Sequence, residues 1–468
     1  MKVLITGATG LIGRELGKAL VQRGNEVFVI SRDAEKAQVQ LPFPCKIIQG
    51  NLSEGPIKNT SSLRLVDVVV NLAGESIGKG RWNESKKRRI YESRVLGTRH
   101  LIESLPVAPK IFINASAIGY YGSQGDKELA EESAAGDDFL AQVCQDWEEE
   151  LLALSYGDSL TATRVAVLRT GMVLAPQGGA MDKLFPLFRR NMGGVLGNGK
   201  QWMSWIHIQD VIGLILHALE RSSVRGPINL VSPQPVSNEE FTETLASVLG
   251  VKLAPRVPAF VLWGSLGEMA ALVLASQKVI PQNALQSGYK FKFPELRKAL
   301  EDVSPPDKEE HFVSEQYLPW PPERVFPFFS HAGNVAKITP PSLDFEFSGG
   351  PAEQLQKGSK VSYQLKYHGV PVKWKTRIDN WNPPHHFTDT QTEGPFKIWV
   401  HSHEFRPFAN GTLVIDRVRY SLPLGTFGNF LGGAMVYREI EKVFHYRQTA
   451  IMRNLERDLG IAGHDLHL

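Results

Sequence analysis

The first 180 residues alternate short apolar runs with amphipathic segments. The opening run "KVLIT" is followed by a glycine-containing turn, a helix-like stretch with apolar Leu16, Ala19 and Leu20, and the run "VFVIS". The alternation continues through "CKIIQGNL", "VDVVVNLAG", "KIFINASAIGYYG" and "TATRVAVLRTGMVL". Buried strands that alternate with helices are typical of the α/β class, so this pattern predicts a doubly wound parallel sheet.

The last third of the chain has a different pattern. The charged, proline-containing stretch "EDVSPPDKEEHF" has no apolar period, and we place a linker at residues 301–310. Beyond it, "KVSYQLKYHGVPVKWKTRIDNW" alternates about a glycine-containing turn, and a second hairpin is predicted around Asn410-Gly411. A long C-terminal helix is predicted from the near-helical spacing of Val436, Ile440, Phe444, Ile451 and Leu455. These elements predict a second domain of the α+β class at residues 311–460.

Composition narrows the range of function classes. A length of 468 residues predicts two or three domains, and 42% hydrophobic with 22% charged residues is typical of a soluble globular protein. The net charge of +3 predicts no nucleic-acid partner. Because Cys45 and Cys144 are the only cysteines, we expect no disulfide framework and a reducing, cytoplasmic location. The first strand leaves no room for a signal peptide, and the most apolar run carries Glu268, so no membrane span is predicted.

Three glycines separate the first predicted strand from the first predicted helix. Gly7, Gly10 and Gly13 follow one another at three-residue spacing. In a strand–turn–helix unit such glycines allow a tight turn, a close approach of the backbone to a pyrophosphate, and close packing of helix on strand. The first helical amides then face the phosphates. The spacing therefore predicts a dinucleotide site, and the alternative is a glycine turn without a ligand.

The end of the second strand indicates which dinucleotide is bound. NAD sites usually have an acid here for the ribose 2′-hydroxyl, whereas this chain has Ser31-Arg32 before the first acid, Asp33. A guanidinium suits a 2′-phosphate, so the sequence favours NADP(H); the alternative is that Arg32 is a solvated loop cation. Since ligands gather at the carboxyl ends of parallel strands, we expect the cofactor to contact Gly7, Thr9, Gly10, Leu11, Ile12, Gly13, Ser31, Arg32, Asn51, Leu52, Leu72, Ala73 and Gly74.

Several long motifs resemble a known superfamily. "TGATGLIG", "NLAG", "LRTGMVL" and "WIHIQDV" resemble the extended short-chain dehydrogenases/reductases, which have a Rossmann fold. "AIGYYG", "DFLAQVCQDWE" and "GGAMDKLFPLFRRNMGGVLGNGKQWMSWIHIQD" resemble its epimerase-like branch, some of whose members carry a cell-division-inhibitor-like label. "VIPQNALQSGYKFKFPELRKAL" resembles that branch's DUF1731-type cap. The resemblance implies an NADP-binding domain at residues 1–300, with the cap at about 240–300.

The resemblance also implies a catalytic Ser, Tyr and Lys, of which this chain retains the serine. Ser116 lies where that serine belongs, but Leu140 and Cys144 occupy the Tyr and Lys positions. An alignment shifted by one residue gives Phe139 and Val143, which are no better suited to proton transfer. The simplest interpretation of Cys144 is an inert, buried thiol.

A replacement proton donor is sought just after Ser116. Tyr120 and Tyr121 are the nearest candidates, so the predicted catalytic residues are Ser116, Tyr120 and Tyr121. The alternatives are aromatic packing for the tyrosines and a solvent-facing loop for the serine. Arg94 replaces the superfamily's usual structural asparagine.

The segment 178–210 is expected to close over a substrate, as the resemblance implies. Cationic side chains there suit an anionic group, and two tryptophans suit an apolar one; a solvated loop with buried tryptophans is the alternative. His207 and Asp210 are expected to be structural. The cations and tryptophans in question are Arg189, Arg190, Lys200, Trp202 and Trp205.

The C-terminal domain resembles the helix-grip superfamily of plant allergens, START domains and polyketide cyclases (SRPBCC). The motifs are "LPWPPERVFPFFS", "ITPPSL", "WKTRIDNWNPPHHFTDTQTEGPFKIWVHSHEF" and "GTLVIDRVRYSLPLG". The resemblance implies an apolar ligand held between the long helix and the sheet, or a docking or dimerisation role. Cavity lining or core packing explains Trp374, Trp381, Trp399 and Phe405 equally well.

Two histidines of that domain have one feature of a metal site. His401 and His403 lie on one face of a strand, as a metal pair requires, and other donors are near in sequence. Because no pair has helical ligand spacing, and strand-face histidines usually line pockets, we predict no metal. The other donors considered are His385, His386, Asp389 and Glu404.

Three functions remain open. The first is an NADP(H)-dependent oxidoreductase or epimerase of a small or partly apolar substrate, with a fused apolar-ligand domain. The second is a non-catalytic NADP(H)-binding regulator or scaffold linked to cell division. The third is a lipid carrier with a vestigial nucleotide site. The sequence leaves homo-oligomerisation open.

Overall fold

The computed structural model describes residues 1–58, 60–154, 163–349, 354–367, 369–423 and 426–460. The chain forms two compact units. The first comprises Met1–Asp33 and Ile47–Pro305, and the second comprises Ala34–Lys46 and Pro306–Leu468.

The first unit is built on a seven-stranded sheet in the order β11-β7-β5-β4-β1-β2-β3. The pairings of β1 with β2 and β4, of β5 with β4 and β7, and of β7 with β11 are all parallel. The remaining strands form two-stranded pairs. The strands are β1 (Lys2–Thr6), β2 (Glu26–Ser31), β3 (Lys46–Gln49), β4 (Val68–Asn71), β5 (Ile111–Ala117), β6 (Glu128–Leu129), β7 (Arg164–Thr170), β8 (Met172–Leu174), β9 (Trp202–Met203), β10 (Trp205–His207), β11 (Gly226–Leu230), β12 (Val236–Ser237) and β13 (Lys278–Val279).

Helices follow the strands, as the alternating pattern predicts. They are α1 (Leu11–Gln22), α2 (Ala34–Gln40), α3 (Glu84–Glu92), α4 (Val95–Glu103), α5 (Phe139–Glu149), α6 (Met181–Arg189), α7 (Ile208–Glu220), α8 (Asn238–Leu249), α9 (Ala259–Leu266), α10 (Ala270–Leu274), α11 (Gln282–Gln286) and α12 (Leu296–Val303). Short 3-10 turns are Ser61–Leu65, Ile118–Tyr121, Glu150–Leu154 and Gly267–Met269.

The central strands of this sheet are covered on both faces. Val3, Leu4 and Ile5 on β1 and Val69 and Val70 on β4 are fully buried. Consecutive residues point to opposite faces of a strand, so a run that is buried throughout needs a layer on each side of the sheet. The predicted doubly wound parallel sheet is confirmed.

The most apolar run folds as two short helices, α9 and α10, joined by a 3-10 turn that contains Glu268. Phe260 and Trp263 on α9 are largely exposed. Among the residues that the structure describes, no helix is both long enough and apolar enough to cross a bilayer.

The second unit has a seven-stranded sheet in the order β14-β20-β19-β18-β17-β16-β15, and every pairing is antiparallel. Its strands are β14 (Glu310–Leu318), β15 (Glu346–Phe347), β16 (Lys360–Tyr367), β17 (Val370–Asn382), β18 (His386–Glu393), β19 (Ile398–Phe408) and β20 (Gly411–Ser421). Its further helices are α13 (Pro322–Phe329), α14 (Asn334–Lys337), a 3-10 turn at Pro341–Leu343, and α15 (Thr426–Asp458).

The long helix α15 supplies apolar residues to two core clusters of the second unit. Ile440 and Phe444 pack in one cluster with β20 residues, and Ile451 and Leu455 pack in the other. Val39 of α2 belongs to this second cluster. The irregular segment before β14 is shorter than the predicted linker at 301–310, because α12 extends to Val303 and β14 begins at Glu310.

Candidate functional site

Around the turn between β1 and α1, two glycines leave no room for a Cβ atom. Gly7 has φ +69°, and a Cβ atom there would lie 2.7 Å from the carbonyl oxygen of Leu72. A Cβ on Gly13 would lie 2.4 Å from the carbonyl oxygen of Gly7. Side chains at either position are therefore excluded, and the turn packs directly on the carboxyl end of β4. This geometry fits a bound pyrophosphate, which needs the same close approach of the backbone.

The N-terminus of α1 faces this turn. Gly10 is the N-cap residue, has extended backbone, and provides no side-chain acceptor. The first residues of the helix are Leu11 and Ile12, while Thr9 lies exposed in the turn. Amides at a helix start that lack a side-chain cap are suited to an anion, because they carry the positive end of the helix dipole.

The carboxyl ends of β2 and β3 lie together beside this turn. The amide of Gly50 donates to the carbonyl of Ser31 at 2.9 Å, and the Ser31 hydroxyl donates to the carbonyl of Asp33 at 2.9 Å. Arg32 is exposed at this edge. The side chain of Asn51 donates to Glu54 at 2.7 Å. The structure thus brings together Ser31, Arg32 and Asn51, three of the residues predicted to contact the cofactor.

Leu52 is buried, and its carbonyl oxygen contacts His100 Nδ1 at 2.7 Å. Its side chain belongs to an apolar cluster behind the strands, together with Leu4, Phe28 and Val69. This places the leucine in the core of the unit, so any contact with a ligand would come from its backbone.

Polar bonds fix the end of β4. The Thr6 hydroxyl donates to Asn71 Oδ1 at 2.5 Å and accepts from the amides of Leu72 and Ala73 at 3.2 Å each. Asn71 in turn donates to Asn114 Oδ1 at 2.7 Å. These bonds link the ends of β1, β4 and β5 and fix the start of the predicted cofactor-contacting segment at Leu72, Ala73 and Gly74.

Arg94 is a half-buried cation at this edge of the sheet. A Cβ on Gly74 would lie 3.0 Å from the Arg94 Cζ, and the guanidinium donates to the carbonyls of Glu75 at 3.0 Å and Ile90 at 3.2 Å. It also lies 5.4 Å from the Trp147 ring centroid. Burial lowers the pKa of Arg94, although arginine remains charged in proteins.

The two positions of the usual Tyr–Lys pair face the turn after β5. A Cβ on Gly119 would meet Leu140 Cβ at 3.4 Å and Cys144 Sγ at 4.0 Å. Burial raises the pKa of the Cys144 thiol to about 11, so it is protonated at neutral pH. Neither residue can exchange a proton there as the usual pair does.

The predicted catalytic hydroxyl groups lie near one another, but two of them are bonded within the protein. Ser116 donates to Glu148 Oε1 at 2.7 Å and is buried. Tyr121 is fully buried and donates to Asn229 at 2.7 Å, and burial raises the pKa of this tyrosine. Tyr120 is half-buried. Packing, the alternative considered for the tyrosines, therefore describes the surroundings of Tyr121.

An ion pair that the sequence did not reveal organises this group. Arg169 donates to Glu148 Oε1 at 2.9 Å and Oε2 at 2.8 Å, and its guanidinium lies 3.4 Å from the ring centroid of Tyr120. It also donates to the Tyr121 hydroxyl at 3.1 Å. The signal available in the sequence was an arginine within the apolar strand "VAVLRT", where an unpaired charge would be costly.

The segment 178–210 is anchored at its end, as expected. Asp210 accepts from the amides of Lys292 at 2.7 Å and Phe293 at 2.9 Å, and His207 Nε2 contacts Asp302 at 3.1 Å. Trp205 is fully buried in the core, so it is not a wall of an open site. Trp202 bonds Asp126 at 2.9 Å through its indole nitrogen.

In the second unit, the aromatic residues singled out in the sequence contribute to the core. Trp374 and Phe405 are buried, and Trp381 and Trp399 pack against the two core clusters of this unit. His386 bonds the Ser402 hydroxyl at 2.9 Å. The exposed pair of Arg406 with Glu404 leaves that glutamate away from the strand-face histidines.

Comparisons with known proteins cover the first two thirds of the chain. Residues 3–230 match the model of the NAD dependent epimerase/dehydratase family, and residues 257–303 match a domain of unknown function, DUF1731. The epimerase family protein SDR39U1 of Mus musculus is 39% identical over 311 residues, which are 65% of this chain and 99% of that protein. An epimerase family protein of Mycobacterium leprae is 37% identical, over 64% of this chain and 94% of its own length.

A solved structure agrees with these relatives. The crystal structure of human epimerase family protein SDR39U1 with NADPH is 36% identical and has a TM-score of 0.57. The match covers 65% of this chain and 99% of the human chain.

Proposed function

The chain belongs to the NAD dependent epimerase/dehydratase family, and we propose that it is an NADP(H)-dependent oxidoreductase or epimerase-like enzyme for a small or partly apolar substrate. The observation that carries this proposal is the glycine turn, where Gly7 and Gly13 bring backbone against the end of β4. A bound nicotinamide cofactor supplies a hydride donor or acceptor at such a site.

Two observations favour the phosphorylated cofactor. Arg32 lies exposed at the end of β2, where the ribose 2′-substituent of a dinucleotide is recognised in this fold. The human relative was crystallised with NADPH. We propose that Ser31 and Arg32 hold the 2′-phosphate, with the guanidinium as the charged partner.

The residues that we expect near the nicotinamide differ in role from the catalytic Ser, Tyr and Lys of the superfamily. We propose that Arg94 takes over the positive charge that the usual lysine provides, because it lies against Gly74 and beside Cys144. There it would stabilise negative charge on a substrate oxygen or orient a ribose hydroxyl. We assign Ser116 and Tyr121 to holding the turn after β5, since both donate to buried protein groups.

Tyr120 is the remaining candidate for the proton donor. Among the three predicted catalytic hydroxyl residues it alone is half-buried rather than buried. The Arg169 guanidinium lies 3.4 Å from the Tyr120 ring centroid, and this cation–π contact fixes the orientation of the ring.

The proposal is tested first by cofactor binding. We expect NADPH to raise the melting temperature of the full chain more than NADH does at equal concentration, because a ligand at 100 times its Kd stabilises by about 2.7 kcal/mol. Arg32→Glu should remove this preference. Loss of the preference in Arg32→Glu with unchanged NADH binding separates 2′-phosphate recognition from general damage to the site.

Turnover is tested second. We expect the protein to oxidise NADPH in the presence of some members of a panel of small aldehydes and ketones, and Arg94→Met and Tyr120→Phe each to lower kcat/KM at least tenfold. Tight NADPH binding without oxidation by any member would contradict the enzyme and favour the regulator. That second candidate is supported by Leu140 and Cys144, which cannot transfer protons as the usual pair does.

For the second unit we propose binding of an apolar ligand. The resemblance to helix-grip domains, the aromatic residues packed around α15 and β17–β20, and a buried indole N–H on Trp374 support this proposal. Within the described residues that N–H has no hydrogen-bond partner, which suits a ligand with one acceptor. An environment-sensitive apolar dye should bind with one site per chain, and Trp374→Phe should weaken its binding.

The lipid-carrier hypothesis predicts a different result. It requires dye or lipid binding without any stabilisation by NADPH, because its nucleotide site is vestigial.

A further inference from the structure

Four ionisable side chains lie together on one face of the second-unit sheet. His401 and His403 alternate on β19 and therefore point to the same face. Asp389 on β18 is paired with His401, and Asp416 on β20 is paired with His403. We call these four residues the His–Asp cluster.

The His–Asp cluster is buried between apolar groups. Its side chains are only 5% to 15% exposed. Along β20, Asp416 lies between Val414 and Val418, which belong to the two different core clusters of the unit. The Phe387 ring stacks on His403 with centroids 4.2 Å apart. Buried charges of this kind need either each other or a cation, because water does not compensate them.

On each imidazole, Asp416 contacts the ring nitrogen that does not face Asp389. Its Oδ1 lies 3.0 Å from His401 Nε2 and 2.7 Å from His403 Nδ1. The His401 contact is a hydrogen bond, and a carboxylate bonded to one ring nitrogen fixes the tautomer and leaves the lone pair on the other; the His403 contact is an ion-pair contact with the same oxygen. This is the arrangement that orients histidine ligands of a metal ion from outside the coordination sphere.

Asp389 contacts the other nitrogen of each ring, at longer distances. Its Oδ2 lies 3.4 Å from His401 Nδ1 and 3.3 Å from His403 Nε2. Charge-assisted hydrogen bonds between nitrogen and oxygen are shorter, about 2.7–2.9 Å. Ligands of a tetrahedral ion with bonds of about 2.0–2.1 Å are themselves about 3.3–3.4 Å apart. The contact of Asp389 with His403 is a long hydrogen bond, and both Asp389 distances also match the spacing of ligands around such an ion.

We propose that the second unit binds one divalent first-row transition ion through Asp389 Oδ2, His401 Nδ1 and His403 Nε2, with Asp416 as the outer partner of both histidines. Two imidazoles and a carboxylate suit zinc, cobalt or ferrous iron. Three protein ligands leave one position for water or for a polar group of a bound molecule. The sequence favoured no metal because the histidines lack helical spacing; the strand register supplies the third ligand.

The test uses the full chain freed of metal with a chelator and titrated with Zn²⁺ or Co²⁺. We expect one equivalent to bind, as measured by elemental analysis after gel filtration. Bound Co²⁺ should give visible absorption bands of a nitrogen- and oxygen-ligated ion of low coordination number. His401→Gln and His403→Gln should abolish binding of this equivalent. Asp416→Asn should weaken it about 10- to 100-fold.

A matched control variant distinguishes the proposed site from other histidines of the unit. His331→Ala removes an exposed imidazole of the same unit and should leave the bound equivalent and the Co²⁺ spectrum unchanged. If the wild-type chain binds no tight equivalent, or if His401→Gln and His403→Gln bind as well as His331→Ala does, the four residues form a metal-free ion-pair network. The wild-type Co²⁺ spectrum decides the matter even if a histidine variant does not fold.

Discussion

At the residue scale, Gly13 shows how little space the nucleotide turn contains. A methyl group there would come within 2.4 Å of the Gly7 carbonyl oxygen and 2.6 Å of the Ala8 Cα, both of them backbone atoms that cannot rotate away. Either the turn or the start of α1 would have to shift. Because α1 directs its first amides at the same place, the shift would remove the phosphate site together with the packing.

We therefore expect Gly13→Ala to abolish the thermal stabilisation by NADPH and to lower the free energy of unfolding by about 1–3 kcal/mol, the usual cost of overpacking. Calorimetric titration with NADPH and denaturant unfolding measure the two effects.

Gly264→Ala is the matched control for that prediction. Its new Cβ would meet no atom within 4 Å, and it lies within helix α9. It should keep full NADPH binding. Wild-type affinity in Gly13→Ala would contradict the assignment of the glycine turn.

At the element scale, the pair of Arg169 on β7 with Glu148 on α5 ties a helix to the central sheet. The side chains are only 5% and 15% exposed, and Glu148 also accepts from Ser116 on β5. One carboxylate thus connects two strands and a helix. Its removal leaves the buried guanidinium without a counter-charge.

We expect Glu148→Gln to lower the free energy of unfolding by about 3 kcal/mol, because breaking one side of a buried ion pair leaves the other uncompensated. Urea unfolding followed by circular dichroism measures this. Arg99→Gln breaks the two-bond pair with Glu150, in which the arginine is 51% exposed, and should cost less than about 1 kcal/mol. Equal losses of unfolding free energy in the two variants would show that the buried Arg169–Glu148 pair stabilises the protein no more than the exposed pair does.

The same elements show how far the sequence predicts the molecule. Strand and helix order followed from apolar periodicity, and the glycine turn followed from its position between β1 and α1. The surroundings of Ser116 did not follow from the sequence. Its partner Glu148 is 32 residues away, and their contact depends on how α5 lies on the sheet. The same is true of Arg94, which sequence reasoning noted only as a departure from the family pattern.

Asp416 was missed although the sequence contained the means to find it. The hairpin around Asn410-Gly411 pairs Phe408 with Gly411, and counting back along both strands brings His403 opposite Asp416. Register in a tight hairpin is fixed by its turn, so long-range pairs of this kind are accessible from sequence. Pairs between separate elements, such as Glu148 with Arg169, are not.

At the scale of the whole molecule, the division into units does not follow the linear order of the chain. Residues Ala34–Lys46 belong to the second unit, although the strands on either side of them belong to the first. Val39 is buried in a second-unit core cluster, and Gln40 contacts His445 of α15 at 3.0 Å. Residues that follow Arg32 directly thus help to build the C-terminal unit.

We expect Val39→Ala to destabilise the second unit by about 1–3 kcal/mol, since a buried side chain is shortened and a cavity is left. Hydrogen exchange followed by mass spectrometry should show faster exchange in β18–β20 and unchanged exchange in β1 and β4. Gln38→Ala, at an exposed position of the same helix, should change neither. Faster exchange in β1 and β4 with protected β18–β20 would instead assign α2 to the first unit.

The path of the chain through Ala34–Lys46 limits how this protein can be recombined. A chimera that joins residues 306–468 to another family member would contain the second-unit antiparallel sheet without the helix that carries Val39. The transplanted C-terminal part would have a cavity where Val39 packs. The N-terminal part of the other family member would keep a helix whose packing partner is absent. Neither part can therefore be exchanged between family members by itself. We expect substitutions in α2 to have been selected together with those in α15.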